Sequence, residues 1–253
     1  SYSRASIKYE FKDFKSAIQD YTEAIKIRPR SEYYVLRALA RDQENQKTKS
    51  FTDKRGRVIY GTPDVLMDLT KAIEVDPNNS LAYRLRGYYK YRNKNHDGAI
   101  LDLSIAIELN PKDLFALEYR GLAYRDNEGQ DGTIYIDWDF TNAIKDFTKL
   151  IELDPNNSEW YFNRAVCYNL SDRIGPYTSL SLDDLNMAII LNPRYGRAYA
   201  YRASVKEELF GKGDESCEDF KISVRLGYSN ANRSILYCKQ WSIYFLLQFF
   251  LLI

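Results

Sequence analysis

Apolar residues recur along most of the chain at intervals of three and four, which is the period of an amphipathic α-helix. The segment Ser80–Asp113 shows this pattern without interruption. One apolar run covers Leu81–Tyr91, a polar turn covers Asn93–Gly98, and a second run covers Ala99–Leu109. Pro111 then closes the segment, because proline cannot continue a helix. The pattern predicts two antiparallel helices joined by a tight turn.

The same unit returns several times along the chain. Five of the seven prolines end a similar apolar phrase, and the interval from Pro77 to Pro111 gives a base period of 34 residues. The five are Pro29, Pro77, Pro111, Pro155 and Pro193. Proteins with such a period assemble their binding surface from many copies of one unit, so a groove is a better first candidate than a catalytic pocket.

Small and large residues alternate in a fixed order within each unit. The small positions of the first helices are Ala5, Ala38, Gly87, Gly121, Ala165 and Ala203. The large positions of the second helices are Tyr21, Leu69, Leu103, Phe147, Leu185 and Phe220, and alanine follows most of them before the proline. This order resembles the tetratricopeptide repeat, and it spans six units over residues 1 to 228.

The resemblance implies an all-α fold, a right-handed superhelical solenoid of six helix-turn-helix repeats. The expected repeats are residues 1–30, 31–79, 80–113, 114–157, 158–195 and 196–228. Residues 229–253 are expected to form a capping helix and an apolar tail.

Three units carry insertions between their helices, at Asn45–Pro63, Asn127–Trp138 and Arg173–Leu180. The first two place a glycine turn before a β-branched and aromatic run, which predicts small hairpins. The third is predicted to be a loop. A calcium-binding loop in the second insertion is disfavoured, because Gly129 and Trp138 would stand at ligand positions without a side-chain oxygen.

An arginine on each first helix is matched by an aspartate on each second helix. The pairs are Arg4 and Asp20, Arg37 and Asp68, Arg86 and Asp102, Arg120 and Asp146, Arg164 and Asp184, and Arg202 and Asp219. A charged ladder for a ligand is one interpretation. We favour a structural bridge between neighbouring helices, since a ligand need not repeat with every unit.

Ligands of the resembled family generally bind the concave face, which is lined by first-helix residues around the small position. We expect the binding residues here to be Arg84, Tyr88, Tyr91, Phe115, Glu118, Arg125, Phe162 and Asn169. Tyrosine and arginine commonly anchor protein interfaces. An alternative is that about half of the residues on this face pack against adjacent repeats instead.

Family members that bind acidic C-termini place lysine and asparagine in this groove. The corresponding residues here are Leu39, Tyr88, Leu122, Val166 and Ser204, so that arrangement is absent. An extended or helical segment with apolar anchors suits the groove better.

Composition excludes several other classes of function. Thirty-six basic and 35 acidic residues give a net charge of +1, which does not favour nucleic acid. One histidine and the lack of a nucleophile motif or a glycine-rich phosphate loop support neither a metal site, nor a cofactor, nor an enzyme. The three cysteines are far apart, which leans towards a reducing compartment. We therefore favour a cytoplasmic location, with periplasmic or membrane-associated locations left open.

The chain ends in an apolar segment, Trp241–Ile253. As a helix, its 13 residues would extend roughly 20 Å, less than the bilayer core of about 30 Å. Packing on the array or on a second copy is our first choice, and contact with a membrane surface is the alternative.

We predict a scaffold or adaptor that binds a protein or peptide segment in the concave groove. The alternative is a regulatory or targeting arm of a larger assembly, held to a membrane surface or another subunit through the apolar tail.

Overall fold

A computed structural model of the chain describes residues 2–48, 61–127, 140–171, 176–211 and 213–228. The helices are α1 (Tyr2–Glu10), α2 (Phe14–Ile27), α3 (Ser31–Thr48), α4 (Pro63–Val75), α5 (Ser80–Arg92), α6 (His96–Leu109), α7 (Leu114–Asp126), α8 (Thr141–Leu153), α9 (Ser158–Ser171), α10 (Pro176–Leu191), α11 (Gly196–Phe210) and α12 (Asp214–Arg225). Every regular element in the described ranges is helical, which confirms the all-α fold. Among these elements, none is at once long and apolar enough to cross a membrane.

The chain divides into two compact units, residues 1–127 and residues 128–253. Unit 1 contains α1 to α7, and unit 2 contains α8 to α12. The division falls at the start of the predicted insertion Asn127–Trp138, nearly all of which lies outside the described residues, as do the centres of the other two insertions. Residues 229–253 also lie outside them, so the predicted boundary at residue 228 stays a prediction.

Odd-numbered helices are the first helices of the repeats, and even-numbered helices are the second. Within unit 1, α1 packs on α2, α3 on α4, and α5 on α6. Within unit 2, α9 packs on α10 and α11 on α12. Each second helix also packs on the next first helix, for example α6 on α7 and α10 on α11. Both units are therefore stacks of helix pairs.

The repeated prolines mark the ends of second helices. The helices α2, α4, α6, α8 and α10 each end two residues before one of the five prolines. Proline disfavours the helical conformation of the residue before it, which explains this constant spacing. Several following first helices then begin with a side-chain cap, as where Asn79 accepts from the backbone N–H of Ala82 at 3.0 Å and Asp113 from that of Ala116 at 3.1 Å.

The recurring small and large residues are two sides of one helix contact. A Cβ atom on Gly87 of α5 would stand 2.7 Å from Cγ of Leu103 on α6, closer than side chains tolerate. Leu103 is fully buried. Ala165 and Leu185 fill the same two positions in unit 2 and are buried in one cluster. The small residue is thus what lets the two helices approach.

Arginine and aspartate side chains form bidentate ion pairs within the units. Arg86 Nε and Nη2 each donate to Asp102 at 2.8 Å, and Arg164 donates to Asp184 at 2.7 Å through both nitrogens. Arg37 pairs with Asp68, Arg202 with Asp219, and Arg4 with Asp20 in the same way. Arg120 and Asp146 belong to different units, so their pairing stays a prediction.

Each of these arginines beyond the first also binds the preceding repeat. Its Nη1 donates to a polar side chain that lies two residues after the aspartate of that repeat. The bonds are Arg37 to Thr22 (3.1 Å), Arg86 to Thr70 (3.2 Å), Arg120 to Ser104 (3.1 Å), Arg164 to Thr148 (3.1 Å) and Arg202 to Asn186 (2.9 Å). One guanidinium group therefore connects two successive second helices, which is the geometry of a structural bridge.

Removing one of the paired carboxylates should destabilise the fold. Asp102 is buried and also accepts Lys90 at 2.7 Å, so Asp102→Ala leaves two partly buried cations without their partner. We expect the free energy of unfolding to fall by about 2–4 kcal/mol, short of the full cost in a dry core because both cations keep some contact with water. Urea unfolding followed by circular dichroism measures this.

The matched control is Glu108→Ala, which removes an exposed carboxylate from the same helix. It should change the free energy of unfolding by less than about 0.5 kcal/mol. Equal effects of the two substitutions would show that the pairing does not hold the repeats together.

Candidate functional site

Three aromatic rings from two first helices form a cluster in unit 1. The ring of Tyr88 on α5 stands 5.4 Å from Phe115 and 4.8 Å from Tyr119 on α7, with both pairs edge to face. The centroids of Phe115 and Tyr119 are 4.4 Å apart. All three side chains are only half-buried, so each retains surface that a ligand could cover.

Two arginines flank this cluster. Arg84 lies over the ring of Phe115 at 5.3 Å, and Arg92 lies over Tyr88 at 5.7 Å. Arg84 Nη1 also pairs with the carboxylate of Asp113 at 3.1 Å, and Arg92 Nη1 donates to the hydroxyl of Tyr88 at 3.0 Å. Tyr88, Phe115, Tyr119, Arg84 and Arg92 are called the aromatic face below.

Tyr91 and Arg125, both expected to bind a ligand, meet on one carboxylate. The Tyr91 hydroxyl donates to Asp126 at 2.8 Å, and Arg125 Nε donates to it at 2.7 Å. The Tyr91 ring also stands 5.5 Å from Tyr119. These bonds hold Tyr91 and Arg125 at the edge of the aromatic face, where Glu118 is a further half-buried residue of α7.

Burial and charge shift the pKa values of this pair in opposite directions. Burial raises the pKa of Tyr91 above its ordinary value, and the Asp126 carboxylate adds to the rise. Burial also raises the pKa of Asp126, but the hydrogen bond and charge of Arg125 outweigh it, so the net shift is downward. At neutral pH the pair is therefore a neutral phenol bound to a carboxylate.

On the other side of Tyr88, the neighbouring Tyr89 is buried and bonds to Asp42 on α3. Gln46 also donates to Asp42 at 2.7 Å. Burial raises the pKa of Asp42, although these bonds oppose the shift. The rings of Tyr88 and Tyr89 are 5.3 Å apart. Through the bond between Tyr89 and Asp42, α3 contacts the helix that carries Tyr88.

The two binding residues predicted in unit 2 are placed differently. Phe162 is fully buried, against the rings of Tyr195 at 5.1 Å and Tyr201 at 5.6 Å, and Arg197 lies over it at 4.7 Å. Asn169 is also buried, and its Oδ1 has no hydrogen-bond partner among the described residues. Phe162 is therefore a core residue of unit 2, covered by the next repeat, and does not line an accessible groove.

Sequence reasoning missed Tyr119 and Arg92, which complete the aromatic face. Both stand one position beside a residue that was considered, Glu118 and Tyr91 respectively. The signal available in the sequence was the four-residue spacing of Phe115 and Tyr119, and of Tyr88 and Arg92, because residues four apart share a helix face.

Within the part of the chain that the structure describes, no group of histidine, cysteine and acidic residues could hold a metal ion. The histidine His96 is buried beside Tyr91, with the two rings 5.6 Å apart. The insertion weighed as a calcium loop lies outside the described residues except for Asn127, whose side chain donates to Asp97 at 3.0 Å.

Alkaline pH should reveal the half-buried phenol of Tyr91. Its stabilising contribution is complete below the ordinary tyrosine pKa of about 10 and is lost as pH rises towards the higher folded pKa, because the folded state then holds a proton that the unfolded chain releases. One proton that only the folded state holds lowers the free energy of unfolding by about 1.4 kcal/mol for each unit that the pH rises. Tyr91 is half-buried and should contribute part of this slope. Between pH 8 and pH 11, the free energy of unfolding measured with urea should therefore decline less steeply for Tyr91→Phe than for the wild type. Parallel curves would contradict the assignment.

Comparisons with known proteins agree with this architecture. A family model described as the tetratricopeptide repeat matches residues 1–31. Serine/threonine-protein phosphatase 5 of Homo sapiens is 32% identical over 88 residues, covering 35% of this chain and 17% of that protein. Small glutamine-rich tetratricopeptide repeat-containing protein 2 of Mycosarcoma maydis is 32% identical over 94 residues, covering 36% of this chain and 25% of that protein.

Among solved structures, this chain is similar to YrrB, described as a TPR protein with an unusual peptide-binding site. The TM-score is 0.64 at 13% identity, with 87% of this chain and 97% of that chain covered. At this identity the likeness concerns the fold alone, and the match spans at most a quarter of the curated relatives above. The repeat pattern, the family match over residues 1–31 and the shared fold together support the assignment of the chain as a tetratricopeptide repeat protein.

Proposed function

We propose that the chain is a protein-interaction scaffold, and that its aromatic face binds a segment of a partner protein. The observation that carries this is the exposure of the face. Tyr88, Phe115 and Tyr119 pack together yet keep part of their surface in water, whereas the large residues of the second helices, such as Leu69 and Leu103, are fully buried. Within unit 1, the packing of the described helices leaves these three rings partly exposed.

The residue types of the aromatic face suit protein binding. Tyrosine, phenylalanine and arginine combine large contact area with few rotatable bonds, and tyrosine and arginine are enriched among the residues that contribute most to interfaces. The rings are already held by one another and by the arginines above them. Binding would therefore require little further ordering of side chains.

The charges around the face indicate which ligand it suits. Arg84 is paired with Asp113, and Arg125 is paired with Asp126. A ligand carboxylate would have to compete with these internal partners. We therefore infer that apolar area supplies most of the affinity, so the ligand is an extended or helical segment with an aromatic or aliphatic anchor.

The described peptide-binding character of YrrB, whose fold this chain shares, supports the proposal by analogy. The match to phosphatase 5 covers 17% of that protein, and we propose no catalytic role for this chain. Tyr91, Glu118 and Arg125 border the proposed site. Phe162 and Asn169 are left out of it, because both side chains are buried in unit 2.

The test is selection from a displayed library of random dodecapeptides on the full chain, followed by affinity measurement with the enriched peptides. We expect them to share an aromatic or aliphatic anchor. Phe115→Ala should weaken their binding by about 30-fold, the effect of losing a dominant interface residue of about 2 kcal/mol. Fluorescence polarisation measures the affinity, and circular dichroism checks that the helices remain.

The matched control is Leu101→Ala, which removes an apolar side chain that is exposed on a second helix of the same unit. It should leave affinity unchanged. Peptides that bind Phe115→Ala as tightly as the wild type would place binding elsewhere, and a library that yields no enriched peptide would argue against this scaffold function.

A further inference from the structure

Arg4 on α1 lacks one bond that the equivalent arginines make. It pairs with Asp20 through Nε and Nη2, as the others pair with their own aspartates. No residue in the described ranges accepts a hydrogen bond from its Nη1. The Arg4 side chain is 66% exposed. The equivalent side chains are between 11% and 18% exposed at Arg37, Arg86, Arg164 and Arg202.

Ile7 stands at a position that is buried in the other first helices. It lies three residues after Arg4 and is 54% exposed. The residues three positions after the other arginines are buried, namely Ala40, Tyr89, Ala123, Cys167 and Val205. Phe11, four residues after Ile7, is also exposed, and the polar residues Ser3 and Glu10 border the two apolar side chains. The side of α1 that carries Arg4, Ile7 and Phe11 is called the α1 face.

On the other first helices, the equivalent face is covered by the preceding second helix. That helix contributes an aliphatic residue and, four residues later, the side chain that accepts from the arginine Nη1. The pairs include Ile18 and Thr22 on α2, Leu66 and Thr70 on α4, and Leu182 and Asn186 on α10, and both α6 and α8 carry an equivalent pair. Leu182 packs in the same cluster as Val205, which corresponds to Ile7.

We propose that the α1 face binds an amphipathic helix of a partner protein, one that carries isoleucine or leucine and, four residues later, threonine, serine or asparagine. The aliphatic side chain covers Ile7, and the hydroxyl or amide oxygen accepts the third bond of Arg4. An amphipathic helix that lays its apolar side on a partner is a common mode of recognition. The inference does not depend on the proposed function, because the aromatic face lies on α5 and α7.

Charge disfavours a second copy of this chain as the occupant. The faces of α2, α4, α6, α8 and α10 are each covered by the following first helix, which leaves α12 among the described second helices. At the two positions of the motif, α12 carries Cys217 and Lys221. Lys221 would place an ammonium group beside the Arg4 guanidinium, and like charges repel. A partner helix with a neutral acceptor avoids this repulsion.

A peptide of residues 178–191 is the probe, because it contains Leu182 and Asn186, and Val205 is β-branched like Ile7. A hydrocarbon staple between positions 183 and 187, both exposed in the fold, holds it helical without covering the binding side. In fluorescence polarisation the labelled peptide should bind the full chain. Ile7→Glu should weaken binding by about tenfold or more, since it sets a charge against an apolar side chain.

Two controls accompany this titration. Leu101→Glu, at an exposed apolar residue of α6, should bind the peptide as the wild type does. The peptide variant Asn186→Lys should bind about tenfold more weakly, because it brings a second cation to Arg4. Circular dichroism checks that Ile7→Glu keeps its helices.

Several outcomes would overturn the proposal. These are no detectable binding up to about 1 mM peptide, equal binding to the wild type and Ile7→Glu, and equal binding of the Asn186→Lys peptide. Binding that Phe115→Ala weakens and Ile7→Glu leaves unchanged would assign the peptide to the aromatic face instead. Self-association of the chain alone in sedimentation, if Ile7→Glu abolished it, would assign the α1 face to a second copy.

Discussion

The structure depends on a guanidinium group that, at Arg37, Arg86, Arg164 and Arg202, bonds to two second helices at once. Two of its nitrogens donate to the aspartate of its own repeat, and the third donates to a side-chain hydroxyl or amide oxygen of the preceding repeat. Because the group is planar, the first helix cannot rotate about its axis without breaking several of these bonds. Arg86 lies two residues before Tyr88, so the same constraint orients Tyr88, and Arg120, directly after Tyr119, bonds Ser104 of the preceding repeat.

Much of this fold could be predicted from the sequence because its determinants are local or strictly periodic. Proline ends a helix wherever it stands, and a small residue opposite a large one recurs only where helices must approach closely. The recurrence of an arginine on each first helix and an aspartate on each second helix predicted their pairing for the same reason. The hydroxyl partners of the preceding repeat were not foreseen, although Thr70 and Thr148 recur two residues after the aspartate.

The candidate site was less predictable because exposure depends on neighbouring repeats. Phe115 lies five residues before Arg120 and Phe162 lies two residues before Arg164, and the first is half-buried while the second is fully buried. The repeat that follows Phe162 places Tyr195, Arg197 and Tyr201 around its ring. A periodic pattern gives the position of a residue within its own unit, but the side chains that the next unit contributes are not periodic.

The distance along the chain between paired charges shows how such an array can diversify. Arg86 and Asp102 are 16 residues apart, whereas Arg37 and Asp68 are 31 residues apart and form the same bidentate pair. Closing a loop of twice the length costs only about 0.6 kcal/mol in chain entropy. Natural variation can therefore lengthen or replace the segment between paired helices almost without loss of stability, and the same freedom makes these turns suitable sites for grafting foreign sequences.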